Sequence, residues 1–275
     1  MEIKSNGTTP VEYRGGVYYK RDDLALVGIP TGHPNGSKMR QFLHMVRGTA
    51  DTTPIIVGCA SASAMQVYVA SAATLFNRPS HVFVPQRKTP SRSTQWAVSM
   101  GADVQYVRPG YMSVLRARAR DCAAGYPGGS VRWDVGYAVQ DAANQTTNIP
   151  TDVNRLVVPV GSGLTLAGVL LGLANQGRAG VRVKGVAVSG LATVDAVRAT
   201  YTRASTAQHG EAHDHAGRCP KFRLVRHAAA YSKPVAATLP GGDFLDPYYA
   251  AKALPWVSAG CCLWVPGVRP REACG

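Results

Sequence analysis

The sequence predicts an α/β protein with mostly parallel sheets. Three observations carry that expectation. Short apolar runs alternate with helical patterns along the chain, glycine-rich turns follow several of those runs, and no internal repeat of fixed period interrupts the alternation. Hydrophobic residues make up 45% of the 275 residues and charged residues only 17%, enough for the core of one large or two modest domains.

The elements are read in order. Val17–Lys20 has the composition of a short strand, and residues 27–37 form a Gly/Pro-rich loop. From Lys38 to Val46 the residues Met39, Phe42, Leu43 and Val46 recur on one helical face. Pro54–Gly58 is a buried-strand run, followed by small residues from Ala60 and a helix through Ala73. Val82–Val84 is a strand, Thr94–Met100 a helix, Val104–Val107 a strand and Ser113–Ala124 a helix with a basic outer face. Val139–Thr147 has helical character. Leu156–Val160 is an apolar strand that runs through Gly161-Ser162-Gly163 into an apolar helix, Leu164–Leu173. Val183–Val188 is a strand, Thr193–Thr200 a helix, and residues 201–242 read as a region holding a loop. Pro247–Leu254 is helical and Cys262–Val265 is the last strand.

Thirty Lys and Arg face sixteen Asp and Glu, a net charge of +14. The excess is clustered. Residues 52–120 hold eight bases and one acid, and residues 215–242 hold five bases and no acid. Arg outnumbers Lys, and its planar fork suits phosphate. Such clustering points to a polyanionic partner, with Arg87, Lys88, Arg92, Arg116, Arg118 and Arg120 as the expected nucleic-acid contacts. The alternative is a solvated basic surface with no partner. Trp96, Trp133, Trp256 and Trp264 are scattered, so no stacking platform is evident from the tryptophans. No apolar run approaches the roughly 20 residues of a membrane helix, and the N-terminus lacks the apolar core of a signal peptide. Six cysteines without a CxxC pair fit a reducing, cytoplasmic setting. His209, His213, His215 and Cys219 lack a standard ligand spacing and read as a polar loop, so no metal site is expected.

Three motifs carry chemistry. Val158-Pro159-Val160-Gly161-Ser162-Gly163-Leu164-Thr165 is a strand–glycine turn–helix unit whose backbone N–H groups suit a phosphate, although a purely structural turn has the same pattern. Gly36-Ser37-Lys38-Met39-Arg40 puts a lysine at a helix start, where the dipole disfavours a cation; Schiff-base chemistry would account for it. Ala60-Ser61-Ala62-Ser63-Ala64-Met65-Gln66 places small residues between strand and helix, where a flat ring approaches the backbone or a helix packs closely.

In order and spacing these motifs, with Lys20-Arg21-Asp22-Asp23 before them and Asp246-Pro247-Tyr248-Tyr249-Ala250-Ala251-Lys252-Ala253 after them, resemble the tryptophan-synthase-β-like (fold type II) pyridoxal phosphate enzymes. The nearest branch is similar to aminocyclopropane carboxylate deaminase and D-cysteine desulfhydrase. The resemblance spans roughly residues 9–268. It implies two three-layer α/β/α domains with the cofactor in the cleft between them, residues 1–46 with 141–275 forming the larger and 47–140 the smaller. It implies pyridoxal 5'-phosphate as cofactor, bound through a Schiff base to Lys38, with Ser61 among the cofactor contacts and Gly161, Ser162, Gly163, Leu164 and Thr165 around the phosphate. Ser63, or else Ser61, would stand near the substrate carboxylate, with Ser63 and Tyr249 as catalytic candidates beside Lys38. A homodimer is implied as well.

The chain departs from the family pattern at Ala64 (usually Asn), Met65 (often His) and Pro266-Gly267-Val268 (usually Thr-Gly-Gly), so the expected partner of the cofactor ring nitrogen is not evident. The substrate site has been rebuilt. The cofactor accepts electrons from whichever Cα bond is broken, and decarboxylation, deprotonation and elimination all remain open. The excess charge favours an amino-acid group attached to a modified thymine in DNA, the chemistry of bacteriophage base hypermodification, in a host cytoplasm. The alternatives are a small-molecule amino acid deaminase or lyase, and a non-catalytic nucleic-acid binder on a degenerate scaffold.

Overall fold

In a computed structural model of the chain, residues 2–131, 133–189, 192–210 and 218–274 are described. The opening segment holds strands β1 (Lys4–Ser5), β2 (Val11–Arg14), β3 (Val17–Lys20), β4 (Leu26–Val27) and β5 (Asn35–Gly36). Then come α1 (Ser37–Arg47), β6 (Ile55–Gly58), α2 (Ala64–Leu75), β7 (Ser80–Pro85), α3 (Arg92–Ser99), β8 (Asp103–Val107) and α4 (Met112–Ala124). The chain continues through α5 (Val135–Asn144), β9 (Arg155–Val160), α6 (Leu164–Asn175), β10 (Arg182–Ala187), α7 (Val194–His209) and β11 (Phe222–Arg226), and ends with β12 (Cys261–Trp264) and β13 (Gly267–Val268). The expected α/β fold with mostly parallel sheets is present. Two compact units divide it, Met1–Gly28 with Asp134–Val268, and Ile29–Trp133 with Arg269–Gly275. Helix α1, placed by the sequence with the larger unit, falls in the second, where Phe42 packs edge-on to Trp133 at 5.3 Å between ring centroids.

Unit one is built on a six-stranded sheet in the order β11-β10-β9-β12-β3-β2, parallel except for the edge pair β2–β3. Successive strand residues face opposite sides. On β9, Leu156, Val158 and Val160 join α5, α6 and α7 in one core, while Val157 joins Val17, Val186 and Leu263 in the other. That second core is closed by the segment carrying Leu239, Leu245, Ala250, Ala251 and Ala253, which ends in a 3-10 helix, Ala250–Trp256. Pro247 and Pro255 limit regular α-helix there. Helix α7 runs to His209, and β11 follows, so residues 201–242 hold more regular structure than the sequence suggested.

The Lys20-Arg21-Asp22-Asp23 motif is structural. Lys20 is fully buried and its Nζ donates to the Thr9 carbonyl (2.6 Å) and to Asn148 Oδ1 (2.7 Å). Arg21 is forked onto Asp23 (2.9 Å) and also reaches Glu12 (2.6 Å) and Asp243 (2.9 Å). Helix α6 packs on α5 through Gly168 and Gly172: a Cβ on Gly168 would meet the Val139 carbonyl and Ala142 Cβ (2.6 Å), and one on Gly172 would meet Thr146 Oγ1 and the Ala143 backbone.

Unit two is a three-stranded parallel sheet, β6-β7-β8, with α1 to α4 around it. Helix α4 lies so close to β6 that a Cβ on Gly58 would overlap the Leu115 carbonyl. Arg78 is buried and its guanidinium donates to the Val46, Thr49 and Ala50 carbonyls, closing the C-terminal end of α1. Among the described residues no helix is long and apolar enough to cross a membrane.

Three outcomes follow. Gly168→Ala and Gly172→Ala should each lower the denaturant midpoint, by about 1–3 kcal/mol of overpacking, although alanine is the better helix former. Arg21→Met should cost about 3–5 kcal/mol because it strands the buried Asp23 carboxylate. Asp243 is partly exposed, and its hydrogen bond from Arg14 holds its carboxyl below the ordinary value. Its contribution is therefore complete above the ordinary carboxylate range and is lost as pH falls through the lower folded value. Asp243→Asn should cost no more than about 1 kcal/mol at neutral pH after solvent screening. Equilibrium unfolding followed down the acid range should show that deficit disappear.

Candidate active site

In unit one, β9 is buried on both faces and its chain must turn at the sheet edge before α6 begins. Gly163 makes that turn at φ +95°, a conformation glycine adopts without the Cβ penalty, and caps α6. The first N–H groups of a helix have no partner inside it, so those of α6 form an anion-binding end. Ser162 is exposed, and Leu164 and Thr165 are half-buried. A small cavity at this turn is lined by residues 159–166 and by Tyr249. The ring of Tyr249 lies against Gly161, whose N–H donates to the phenol oxygen; a Cβ on Gly161 would come within 2.9 Å of that oxygen. The glycine turn and the helix end supply backbone donors of the kind a phosphate group takes.

Tyr249 is positioned by the Asp246–Lys252 motif. The Asp246 carbonyl accepts from the Tyr249 and Ala251 N–H groups (3.1 Å each). Lys252 is fully buried, and its Nζ donates to the carbonyls of Ala230 (2.7 Å) and Tyr231 (3.2 Å). Burial pushes the Tyr249 hydroxyl well above its ordinary value, so it is protonated throughout the neutral range.

In unit two, Gly36 precedes α1 at φ 134°, and Lys38 stands in the first turn, half-buried. Its Nζ lies 6.0 Å from the centroid of the Tyr68 ring. The Tyr68 hydroxyl donates to the Asn35 carbonyl (3.3 Å), so one α2 side chain both supports the lysine's loop and lies under its ammonium.

The serine loop between β6 and α2 is held by its backbone. The Ser61 carbonyl accepts from Gln66 Nε2 (2.6 Å) and from the Ser91 hydroxyl. The Ala62 carbonyl accepts from Arg269 (3.1 Å), which also reaches Ser93 Oγ (3.2 Å). Ser63 caps α2, accepting from the Met65 N–H at 3.2 Å. Ser61 is buried. Cys59 sits beneath this loop; burial pushes its thiol up to about 12, against the hydrogen bonds from the Gln66 N–H and Ser63 and the charge of Lys38. Gln66 Oε1 is buried without a hydrogen-bond partner.

The structure thus brings Lys38, Ser61 and Ser63 together in unit two, and Gly161 to Thr165 with Tyr249 in unit one. Sequence reasoning missed Tyr68, Cys59, Gln66 and Arg269. Cys59 directly precedes the serine motif, Gln66 ends it and Tyr68 follows on the same helix, but nothing in the sequence links Arg269 to residue 62. Of the expected phosphate contacts, Arg87, Lys88, Arg92, Arg116 and Arg120 are exposed, while Arg118 stands 4.0 Å from Asp121. His213 and His215 lie outside the described residues; His209 contacts Asn175 Oδ1 at 3.1 Å. Among the described residues no three metal-ligating side chains cluster.

Comparisons with known proteins bear on the fold and the family. A search of curated proteins finds no match. Among solved structures, an ACC deaminase homologue superposes with a TM-score of 0.68 at 21% identity, covering 94% of this chain and 89% of its own. Threonine deaminase isoform 2 from Solanum lycopersicum gives 0.60 at 16%, covering 95% and 79%. The O-acetylserine dependent cystathionine beta-synthase from Helicobacter pylori gives 0.60 at 16%, covering 98% and 92%. At these identities the likeness concerns the fold. The sequence profile of the family described as "Pyridoxal-phosphate dependent enzyme" matches residues 5–236, and the chain belongs to that family.

Proposed function

We propose that this enzyme is a lyase that breaks a bond at the α-carbon of an amino-acid group, and that this group is carried on a modified thymine of DNA. The observation that supports it most is the pairing of a first-turn lysine, Lys38, with a backbone-held serine loop, in a family that depends on pyridoxal phosphate. The cofactor, when bound, supplies an electron sink for the bond broken at Cα.

The chain's own residues have distinct tasks. Lys38 holds the cofactor and moves a proton at Cα. The α6 end with Gly161, Ser162, Gly163, Leu164 and Thr165 binds the phosphate. Ser63 and Ser61 line the carboxylate side. Ser63 is engaged with the Met65 N–H and with Cys59, so its hydroxyl orients rather than wanders. Tyr249 serves as a proton donor; it is not a base at neutral pH, because its hydroxyl stays protonated. Cys59, also protonated, is a neutral neighbour of Lys38 and not a competing nucleophile.

The nucleic-acid part of the reading rests on charge. A free amino acid needs no +14 protein, and the exposed bases Arg87, Lys88 and Arg92 follow β7, whose next loop touches the serine loop through Ser91.

Three measurements test this reading. Lys38→Ala should abolish the visible absorbance of the bound cofactor and lower turnover by about 10²–10⁴-fold or more. Mass spectrometry of nucleosides from modified DNA, before and after treatment, should show a mass loss that names the bond broken. Turnover of free amino acids with modified DNA untouched would refute the DNA-linked substrate. Tyr249→Phe should retain the cofactor's absorbance and lower kcat by about 10²-fold, with no new basic limb in the pH profile; an unchanged kcat would remove Tyr249 from the catalytic set.

A further inference from the structure

We propose that unit two carries a docking surface for a nucleic-acid strand on the rim formed by residues 86–92 and 108–111, with Tyr111 as a platform for a base. This surface deepens the reading above and rests on it.

The rim follows from strand direction. Strands β6, β7 and β8 are parallel, so their C-terminal ends emerge at one edge of the sheet, the edge where open α/β sheets bind ligands. The serine loop leaves β6 there. The register Pro85 opposite Val107, continued by the Gln86 N–H to the Val107 carbonyl (2.8 Å), sets Arg87 and Lys88 beside Arg108. Arg87, Lys88, Arg92 and Arg108 are all exposed, and neither loop contains an Asp or Glu. Asp103, at the other end of β8, is paired with His81 at 2.8 Å.

An aromatic ring stands among these charges. Tyr111 is 85% exposed, directly before α4, and its side chain caps nothing. Tyr106 on the edge strand β8 is 48% exposed. Bare rings next to arginine forks match what a strand requires: stacking faces for bases and planar cations for phosphates. A lipid headgroup or an acidic peptide would use the cations but has no base to stack.

The tie to the active site is covalently short and hydrogen-bonded. Ser91, which closes the basic loop and caps α3, donates to the Ser61 carbonyl. A strand whose phosphates lie on residues 87 and 88 therefore runs along the loop that is tied to the serine loop.

Other basic clusters have different occupations. Arg78 closes α1, and Arg118 is close to Asp121. Arg223 and Arg226 lie on β11, the edge strand of the other sheet, where exposed charge blocks strand addition.

The test uses the cofactor-loaded full chain and a fluorescent single-stranded DNA, with anisotropy titrated across roughly 50–200 mM salt. The triple variant Arg87→Glu, Lys88→Glu, Arg108→Glu should bind at least ~10-fold more weakly and lose about 2 from the slope of log affinity against log salt. Tyr111→Ala should weaken binding by about 5–100-fold with the salt slope unchanged. Arg203→Glu, an exposed charge change on α7, should stay within about twofold of wild type. Melting temperature and cofactor absorbance report that each variant folds. Wild-type-like binding by the triple variant would overturn this surface and leave the DNA-linked substrate standing. Wild-type-like binding by Tyr111→Ala, with equal retention of heparin, would overturn the base platform. Failure of wild type to bind the strand at low salt would overturn the surface, and action on modified DNA in the nucleoside assay would then show separately that the substrate reading survives.

Discussion

Burial of strand β9 on both faces is the constraint on which unit one depends. Leu156, Val158 and Val160 need a helical cover, and Val157 needs the opposite one. A strand covered on both sides reaches solvent only at its ends. The polar backbone that leaves its C-terminal end must be satisfied by a turn, a helix start or a ligand. Gly161-Ser162-Gly163 is that exit, and the same packing fixes α6 against α5 so closely that two helix positions admit no side chain. The donors that this turn and helix start present are thus a by-product of core burial.

The charges divide by the same logic. Buried cations are matched: Lys20 and Lys252 by carbonyls, Arg21 by carboxylates, Arg78 by the open end of a helix, Arg269 by the serine loop. These are fastened inside the protein by their hydrogen bonds and are not presented to a partner's phosphates. The exposed bases of unit two include Arg87, Lys88, Arg92 and Arg108 in the loops at one sheet edge, and Arg116, Arg118 and Arg120 along α4.

The sequence was most legible where one signal decided the structure. Apolar β9 and α6, the small residues at 60–64 and the start of α1 were all readable from local pattern. It was least legible where distant residues decide. Helix α7 continues through Thr202, Arg203, Ser205 and Gln208, a polar stretch whose helicity is underwritten by buried Val197, Tyr201 and Ser205. Strand β11 alternates weakly and exists because β10 offers it a parallel partner. The Lys20–Asp23 motif, which entered only as part of the family resemblance, is a buried structural network. The exposed tyrosines went unnoticed, because the tryptophans were the aromatic residues weighed for stacking.

The serine loop is gripped by its carbonyls rather than by its side chains. Gln66, Ser91 and Arg269 all reach the oxygens of residues 61 and 62, which every amino acid possesses. Those contacts do not depend on the side chains at 61 and 62, whereas the Ser63 hydroxyl also holds the start of α2. Ala64 and Met65 could replace a polar pair without the loop being redrawn, so descent can edit the reactive surface while inheriting the frame. Such a loop is a cassette: its contents can be exchanged for a new substrate at little cost to the fold.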